Sequence, residues 1–262
     1  MKKKVLVTGG SRGIGRAIAE YFLNKDYELF GTFFNSEEKA RELESKYGED
    51  CVHLFGPYDF RNTTEIFGAL KKFQNYLFDT VVCSAGIFLD GDDFNEFDLE
   101  RFIQTMNCNF YQSLILTTGL KDNIVEGGSI VLMSSNDAYP GAFASIAYTV
   151  SKAAIISLTK CLSMNFGEKN VRVNSVAPGA IDTDMNTSEQ AEMAPYFSPT
   201  SRMGTADEVA KVVYFLASDN ASFVNGANLT IDGGYCNTSI LLKAEADSAL
   251  SKDIRNFIRE NK

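Results

Sequence analysis

The chain of 262 residues contains one histidine, His53. A Ser-His-Asp triad or a histidine-based metal site would have to rest on that residue alone. It stands in Cys51-Val52-His53-Leu54-Phe55, a strand-like run in which a core or edge histidine is expected, so neither site is expected. The cysteines Cys51, Cys83, Cys108, Cys161 and Cys236 form an odd, scattered set without a Cys-x-x-Cys pair. Reduced, mostly buried thiols are expected, rather than a disulfide framework or a zinc site. No eighteen apolar residues run together, so no membrane span is expected. The basic start Met1-Lys2-Lys3-Lys4 is followed only by Val5-Leu6-Val7 before Thr8-Gly9-Gly10, which leaves no apolar core for a signal peptide. A cytoplasmic location is the expectation. Positive charge is also scarce: 25 Lys and Arg face 34 Asp and Glu, for a net charge of −9. That field repels a phosphate backbone, so nucleic acid is not an expected partner.

Seven short apolar runs punctuate the chain: Lys4 to Thr8, Glu28 to Phe33, Cys51 to Phe55, Thr80 to Cys83, Ser129 to Met133, Val171 to Ala177 and Asn228 to Ile231. Their unbroken hydrophobicity suits strands buried on both faces. Helical periodicity fills the intervals, as in Ile14, Ile18, Tyr21 and Phe22, or Ala154, Ile155, Leu158 and Leu162. Alternating strand and helix predicts right-handed βαβ units and an α/β fold, a Rossmann-type doubly wound parallel sheet of about seven strands in a single domain. Two segments depart from the alternation. Residues 185–203 hold two prolines and no strand signal after a strand end, which suggests a substrate lid. Residues 237–262 carry Leu250, Ile254, Phe257 and Ile258 at helical spacing, an apolar stripe that something should cover.

Thr8-Gly9-Gly10-Ser11-Arg12-Gly13-Ile14-Gly15 lies between the first strand and the first helix. Glycines allow a tight turn and close backbone approach, and the free N–H groups of the helix start suit a pyrophosphate. The spacing is GxxxGxG, and TGGSRGIG resembles the signature of the classical short-chain dehydrogenase/reductase family, over about Lys3 to Tyr235. Cys83-Ser84-Ala85-Gly86 stands where the family commonly has Asn-Asn-Ala-Gly, so Ser84 departs while Ala85 and Gly86 are kept. Pro178-Gly179-Ala180-Ile181-Asp182-Thr183 resembles the family's turn near the nicotinamide, which implies cofactor contacts at Pro178, Gly179, Ile181 and Thr183. Asp59 and Phe60 resemble its adenine-edge contact. The resemblance implies a nicotinamide cofactor. NAD usually asks for a carboxylate at the end of the second strand, and here that place holds Phe33, followed by Phe34, Asn35 and Ser36. With Arg12 in the glycine turn, Asn35 and Ser36 favour the 2′-phosphate of NADP(H).

Tyr148 and Lys152 are four apart in a helical stretch, hence one turn apart on one face. A neighbouring ammonium is expected to lower the phenol's pKa toward neutrality and make it a usable acid or base. Tyr148 follows Ser135 by thirteen residues, as in the family. By resemblance Tyr148 donates the proton in carbonyl reduction, Lys152 tunes it and bonds the ribose, Ser135 holds the substrate oxygen, and Asn109 supports a water beside the lysine. Asn107 and Ser134 are near-register rivals ranked below these.

The run Arg202 to Ala210 followed by Phe215 to Ser218 is similar to 3-oxoacyl-thioester reductases within the family, and also to polyol, sugar and secondary-metabolite members. The expected partner is therefore a small carbonyl or alcohol substrate. A binding-only sensor is the reading from another class. Acyl carrier proteins are acidic, and a −9 chain with Asp122 and Glu126 before the fifth strand lacks the usual steering, although Lys169 is basic. Phe88, Phe94, Phe97, Tyr139, Phe143, Tyr196 and Phe197 hint at an apolar substrate. The resemblance also implies a homotetramer, or a dimer. The tail from Asn237 goes beyond the family's usual end, and its apolar stripe suggests packing across a subunit boundary.

Overall fold

Short runs of apolar and β-branched residues become the strands of one parallel sheet in this computed structural model. It describes residues 2–89, 97–141, 145–185 and 198–239, with isolated positions at 192, 252, 256, 257 and 259. The strands are β1 (Lys4–Thr8), β2 (Glu28–Thr32), β3 (Val52–Phe55), β4 (Phe78–Cys83), β5 (Ile124–Met133), β6 (Arg172–Pro178), β7 (Ile181–Asp182), β8 (Gly204–Thr205) and β9 (Asn228–Ile231). Seven of them stand in the order β3-β2-β1-β4-β5-β6-β9, while β7 and β8 form a separate pair. The helices are α1 (Gly13–Leu23), α2 (Glu37–Tyr47), α3 (Thr63–Phe73), α4 (Leu99–Met106), α5 (Gln112–Gly119), α6 (Ile146–Asn165) and α7 (Ala206–Ala217), with a π-helical turn at Asn107–Tyr111 between α4 and α5.

Strand geometry sends successive side chains to opposite faces, and β1 shows the consequence. Val5 and Val7 join Ile18 and Phe22 of α1 and Val209 and Val213 of α7 in one core layer. Leu6 joins Ile66 and Phe73 of α3, Leu116 of α5 and Ile155 and Leu158 of α6 in the other. Each such side chain, fully withdrawn from water, contributes about 1.5–3 kcal/mol. Strand order reverses between β1 and β4, whose neighbours lie on opposite sides. The crevice at that switch point is where an open α/β sheet receives a ligand.

Three features differ from expectation. The fifth strand begins at Ile124 rather than Ser129, because Glu126 and Gly127 are exposed and the pairing with β4 shifts register between Phe78 and Thr80. The π turn carries no sequence signal that was read. Cys161 and Cys236 are exposed and Cys51 is half-buried, so only Cys83 and Cys108 fit the buried expectation, though all five are free thiols. His53 sits on the edge strand β3, its Nε2 3.0 Å from Glu28 Oε1 and its ring against Phe30. The ends of the expected lid are held by β7 pairing with β8. Its residues 186–191 and 193–197, including Tyr196 and Phe197, lie outside the described residues, as do Phe94, Phe143 and nearly all of the tail beyond 239.

Candidate active site

The glycine turn leaves the end of β1 with Gly9 at φ +67° and Gly13 at φ +55°, conformations that side chains with a Cβ rarely adopt. A Cβ at Gly15 would collide with the Gly9 carbonyl, so that close approach also requires glycine. Two threonine hydroxyls tie the turn down: Gly9 N–H donates to Thr32 Oγ1 (3.1 Å), and Ala85 N–H donates to Thr8 Oγ1 (3.0 Å) across the switch point. Helices α3, α4 and α7 have side-chain caps from Asn62, Asp98 and Thr205, whereas α1 has no capping side chain and no acid in its first turn. Its N–H groups are therefore left for an anion. Arg12 is exposed at the N-cap and Ser11 Oγ lies 2.9 Å from Ser36 Oγ, which joins the turn to the end of β2. Thr183, after β7, comes against Gly13.

At the end of β2 the side chain of Phe33 is buried, so no carboxylate faces a ribose there, while Phe34 and Asn35 are exposed. Asp59 is gripped by the Arg61 guanidinium at 2.6–3.0 Å, and the same hydrogen bonds hold its carboxyl below the usual range. Arg61 also lies over the Phe34 ring. Phe60 is buried, which limits any contact it makes with a base to its main chain.

The other half of the crevice is built by β4, the π turn, β5 and α6. Asn109 is buried, and its amide clasps the loop after β4: Oδ1 accepts from Ile87 N–H (2.8 Å) while Nδ2 donates to Ile87 O (3.0 Å) and to Ser151 Oγ (3.1 Å). Ser151 in turn donates to the Tyr148 carbonyl at 2.7 Å. Lys152 is buried, with Nζ donating to Met133 O at 3.1 Å and lying 5.5 Å from the Tyr148 ring centroid. A Cβ at Gly86 would stand 3.3 Å from both Lys152 Nζ and Asn109 Oδ1, so that glycine keeps the space before them open. Ser135 caps the 3₁₀ turn Asn136–Ala138, accepting from Asp137 N–H at 3.1 Å. Gly179 N–H donates to Ile231 O (3.0 Å), which seats the Pro178-Gly179 turn beside the end of β9.

The rivals are committed elsewhere. Ser134 Oγ donates to Lys152 O at 2.8 Å, and Asn107 Nδ2 donates to Arg61 O at 2.8 Å. One expectation is corrected. Lys152 does not hold the phenol down; burial pushes Tyr148 up to about 12, outweighing an interaction with the Ser135 hydroxyl, and the Asp137 charge adds to the rise. Burial pushes Lys152 down to about 8. Desolvation disfavours the charged form of each group. Sequence reading also passed over Thr8, Thr32, Ser151 and Ile87. Hydroxyls at strand ends were the available signal for the threonines; nothing local marks the other two.

A family model described as enoyl-(acyl carrier protein) reductase matches residues 9–236. The chain belongs to the short-chain dehydrogenase/reductase family of oxidoreductases. It is 34% identical over 244 residues to a 3-oxoacyl-(acyl-carrier-protein) reductase of Chlamydia pneumoniae, covering 88% of this chain and 96% of that one. It is 33% identical over 252 residues to versicolorin reductase 1 of Aspergillus parasiticus, with 88% and 95% covered. Among solved structures, a short chain dehydrogenase from Burkholderia cenocepacia in complex with NADP superposes with a TM-score of 0.84 at 31% identity, over 90% of this chain and 98% of that one. The matched family region ends at 236, so the tail 237–262 stands outside it.

Proposed function

We propose that residues 1–236 form an NADP(H)-dependent carbonyl reductase whose proton donor is Tyr148. The observation that carries this reading is the meeting of Ser135, Tyr148 and Lys152 beside a glycine turn whose helix start is uncapped. NADP(H) would supply the hydride when bound. Gly9, Ser11, Gly13, Ile14 and Gly15 would cradle its pyrophosphate; Arg12, Asn35 and Ser36 would take the 2′-phosphate; Asp59 and Phe60 would border the adenine. Ser84, Ala85 and Gly86, with Pro178, Gly179, Ile181 and Thr183, would line the nicotinamide side. The absence of a carboxylate at Phe33 supports NADP(H) over NAD, and the solved relative is named as an NADP complex. Comparing Michaelis constants for the two cofactors tests it, and a preference for NADH would overturn it.

An ordinary phenol is protonated at neutral pH and the burial of Tyr148 raises its pKa further, so it is in the form that donates to a carbonyl oxygen. The Ser135 oxygen accepts from Asp137 N–H, and its hydroxyl donates to Asn136 Oδ1 over a long 3.5 Å, a bond that a substrate oxygen would replace. Lys152 spends one donor on Met133 O and has two more for a ribose. The side chain of Asn109 forms the clasp between the loop after β4 and α6, and its Oδ1, which faces the same open space before Gly86 as Lys152 Nζ, keeps a lone pair that would hold a water there.

For the substrate, the two relatives point in different directions, one being named for a carrier-bound 3-oxoacyl group and the other for versicolorin. The free ketone is favoured by charge. Lys169, a basic residue at one of the places expected to meet an acidic carrier, is paired with Asp122 at 2.8 Å. A screen of 3-oxoacyl thioesters against free ketones and keto sugars, followed by NADPH absorbance, tests this; efficient turnover of carrier-bound thioester alone would overturn it.

A further inference from the structure

The turn after β5 carries a carboxyl group that the proposed reaction does not use. Asp137 is the middle residue of the 3₁₀ turn Asn136–Ala138, and its N–H bond to Ser135 Oγ fixes it beside the hydroxyl. The side chain is half-buried, and among the described residues nothing donates a hydrogen bond or ion pair to its carboxylate. Burial alone raises its pKa, so no cation compensates it. The Cys236 thiol donates to Asn136 O at 3.7 Å, so the turn that carries Asp137 lies between the Ser135 hydroxyl and the segment after β9.

The surrounding groups do not answer that charge. Asp232, just after β9, adds a second carboxylate whose oxygens accept from Gly234 N–H (2.9 Å) and Cys236 N–H (2.8 Å). Lys152 is turned to Met133 O. A partly buried carboxylate without a partner is costly, and the cost is relieved by a ligand that brings a donor. Beside Ser135 and Tyr148 that ligand is the substrate itself.

We propose that Asp137 is a specificity-determining residue that selects ketones bearing a protonated amine close to the carbonyl, ahead of hydroxyketones and then of purely aliphatic ketones. The proposal rests on Ser135 and Tyr148 being the reacting centre. A carrier-bound acyl chain offers neither an amine nor a hydroxyl there.

Aminoacetone, hydroxyacetone and 2-butanone are nearly isosteric and separate charge from shape. At pH 7 with NADPH, kcat/KM falls in that order for the native chain. In Asp137→Asn the ratio of aminoacetone to 2-butanone drops about tenfold or more, the scale set by removing one partner of a partly desolvated charge pair. In Asp137→Val it drops further. A native ratio near one, or equal losses for all three ketones in the variants, overturns the proposal and leaves Asp137 a support for Ser135. If none of the three is turned over, thermal shifts with NADPH present decide. Aminoacetone must then stabilise the native chain more than 2-butanone does, and lose that advantage in Asp137→Asn; equal shifts overturn the proposal. The reacting centre is tested separately by Tyr148→Phe, since turnover surviving there breaks that reading whatever the ketone ratios show.

Discussion

Where β1 ends, the crevice is lined by main chain: glycines at positive φ, an uncapped helix start, and N–H groups latched by Thr8 and Thr32. Where β5 ends, it is lined by side chains from three separate elements, with Ser135, Lys152 and the half-buried Tyr148 in front and Asn109 behind. The first half recognises by shape and by the fixed dipoles of the backbone. In the proposed reaction the second works through groups whose pKa values burial shifts. The two halves should therefore fail differently: damage to the turn should weaken cofactor binding, and damage to the side-chain cluster should stop turnover while binding persists.

The largest expected break is Tyr148→Phe. Removing the proton donor should lower turnover about 10³-fold, within the usual range for general acid catalysis, while NADPH titration by fluorescence stays within a few-fold of native. Residual turnover near the native level would remove Tyr148 from its role. Next is Gly15→Ala, whose new Cβ meets the Gly9 carbonyl. The turn must shift, at a cost of about 1–3 kcal/mol in urea unfolding, and NADPH should bind about 100-fold more weakly. Native NADPH affinity in that variant would show that the tight turn is not what holds the cofactor.

Lys152 offers a sharper test of the dry half. Its pKa is pushed from 10.5 to about 8, so between those values the unfolded chain holds a proton that the folded chain has released. Unfolding free energy should therefore rise with pH from about 8 toward 10, by up to about 3 kcal/mol, with the full penalty present below pH 8. Above pH 10 the raised Tyr148 acts in the opposite sense, because the folded chain then holds the proton longer. Urea melts at pH 7, 8, 9 and 10 should show this rise in the native chain and a weaker one in Lys152→Met. Parallel curves for the two would mean that the ammonium is not desolvated. The smallest effect expected is Arg12→Ala, an exposed side chain at the turn. It should raise the Michaelis constant for NADPH about tenfold and leave that for NADH unchanged, the scale of one charge-assisted contact. Equal shifts for both cofactors would take the 2′-phosphate from Arg12.

The legibility of the two halves also differs. The glycine turn was readable because its requirements are local: Gly9, Gly13 and Gly15 lie within seven consecutive residues, and strand β1 appears at its expected boundaries. The spacing of Tyr148 and Lys152 was readable for the same reason. Their protonation was not, because burial comes from elements distant in the chain and reverses the effect expected from two neighbouring charges. Asn109 could be named from its place in the family pattern, but its clasp on Ile87 and Ser151 depends on a π turn that has no local signature. Asp137 drew no notice, since one acid in a loop says nothing until its neighbours are known.

By itself the sequence determined the alternation of strand and helix, the glycine turn, the lack of an acid at Phe33, and the Ser135, Tyr148 and Lys152 spacing, all properties of residues near one another in the chain. Tertiary structure alone decided that Asp59 is gripped by Arg61, that Lys169 is paired with Asp122, that burial raises the phenol's pKa, and that Asp137 stands beside the Ser135 hydroxyl without a partner among the described residues. The physical reason is that solvation and pairing of a charge depend on which distant segments close around it.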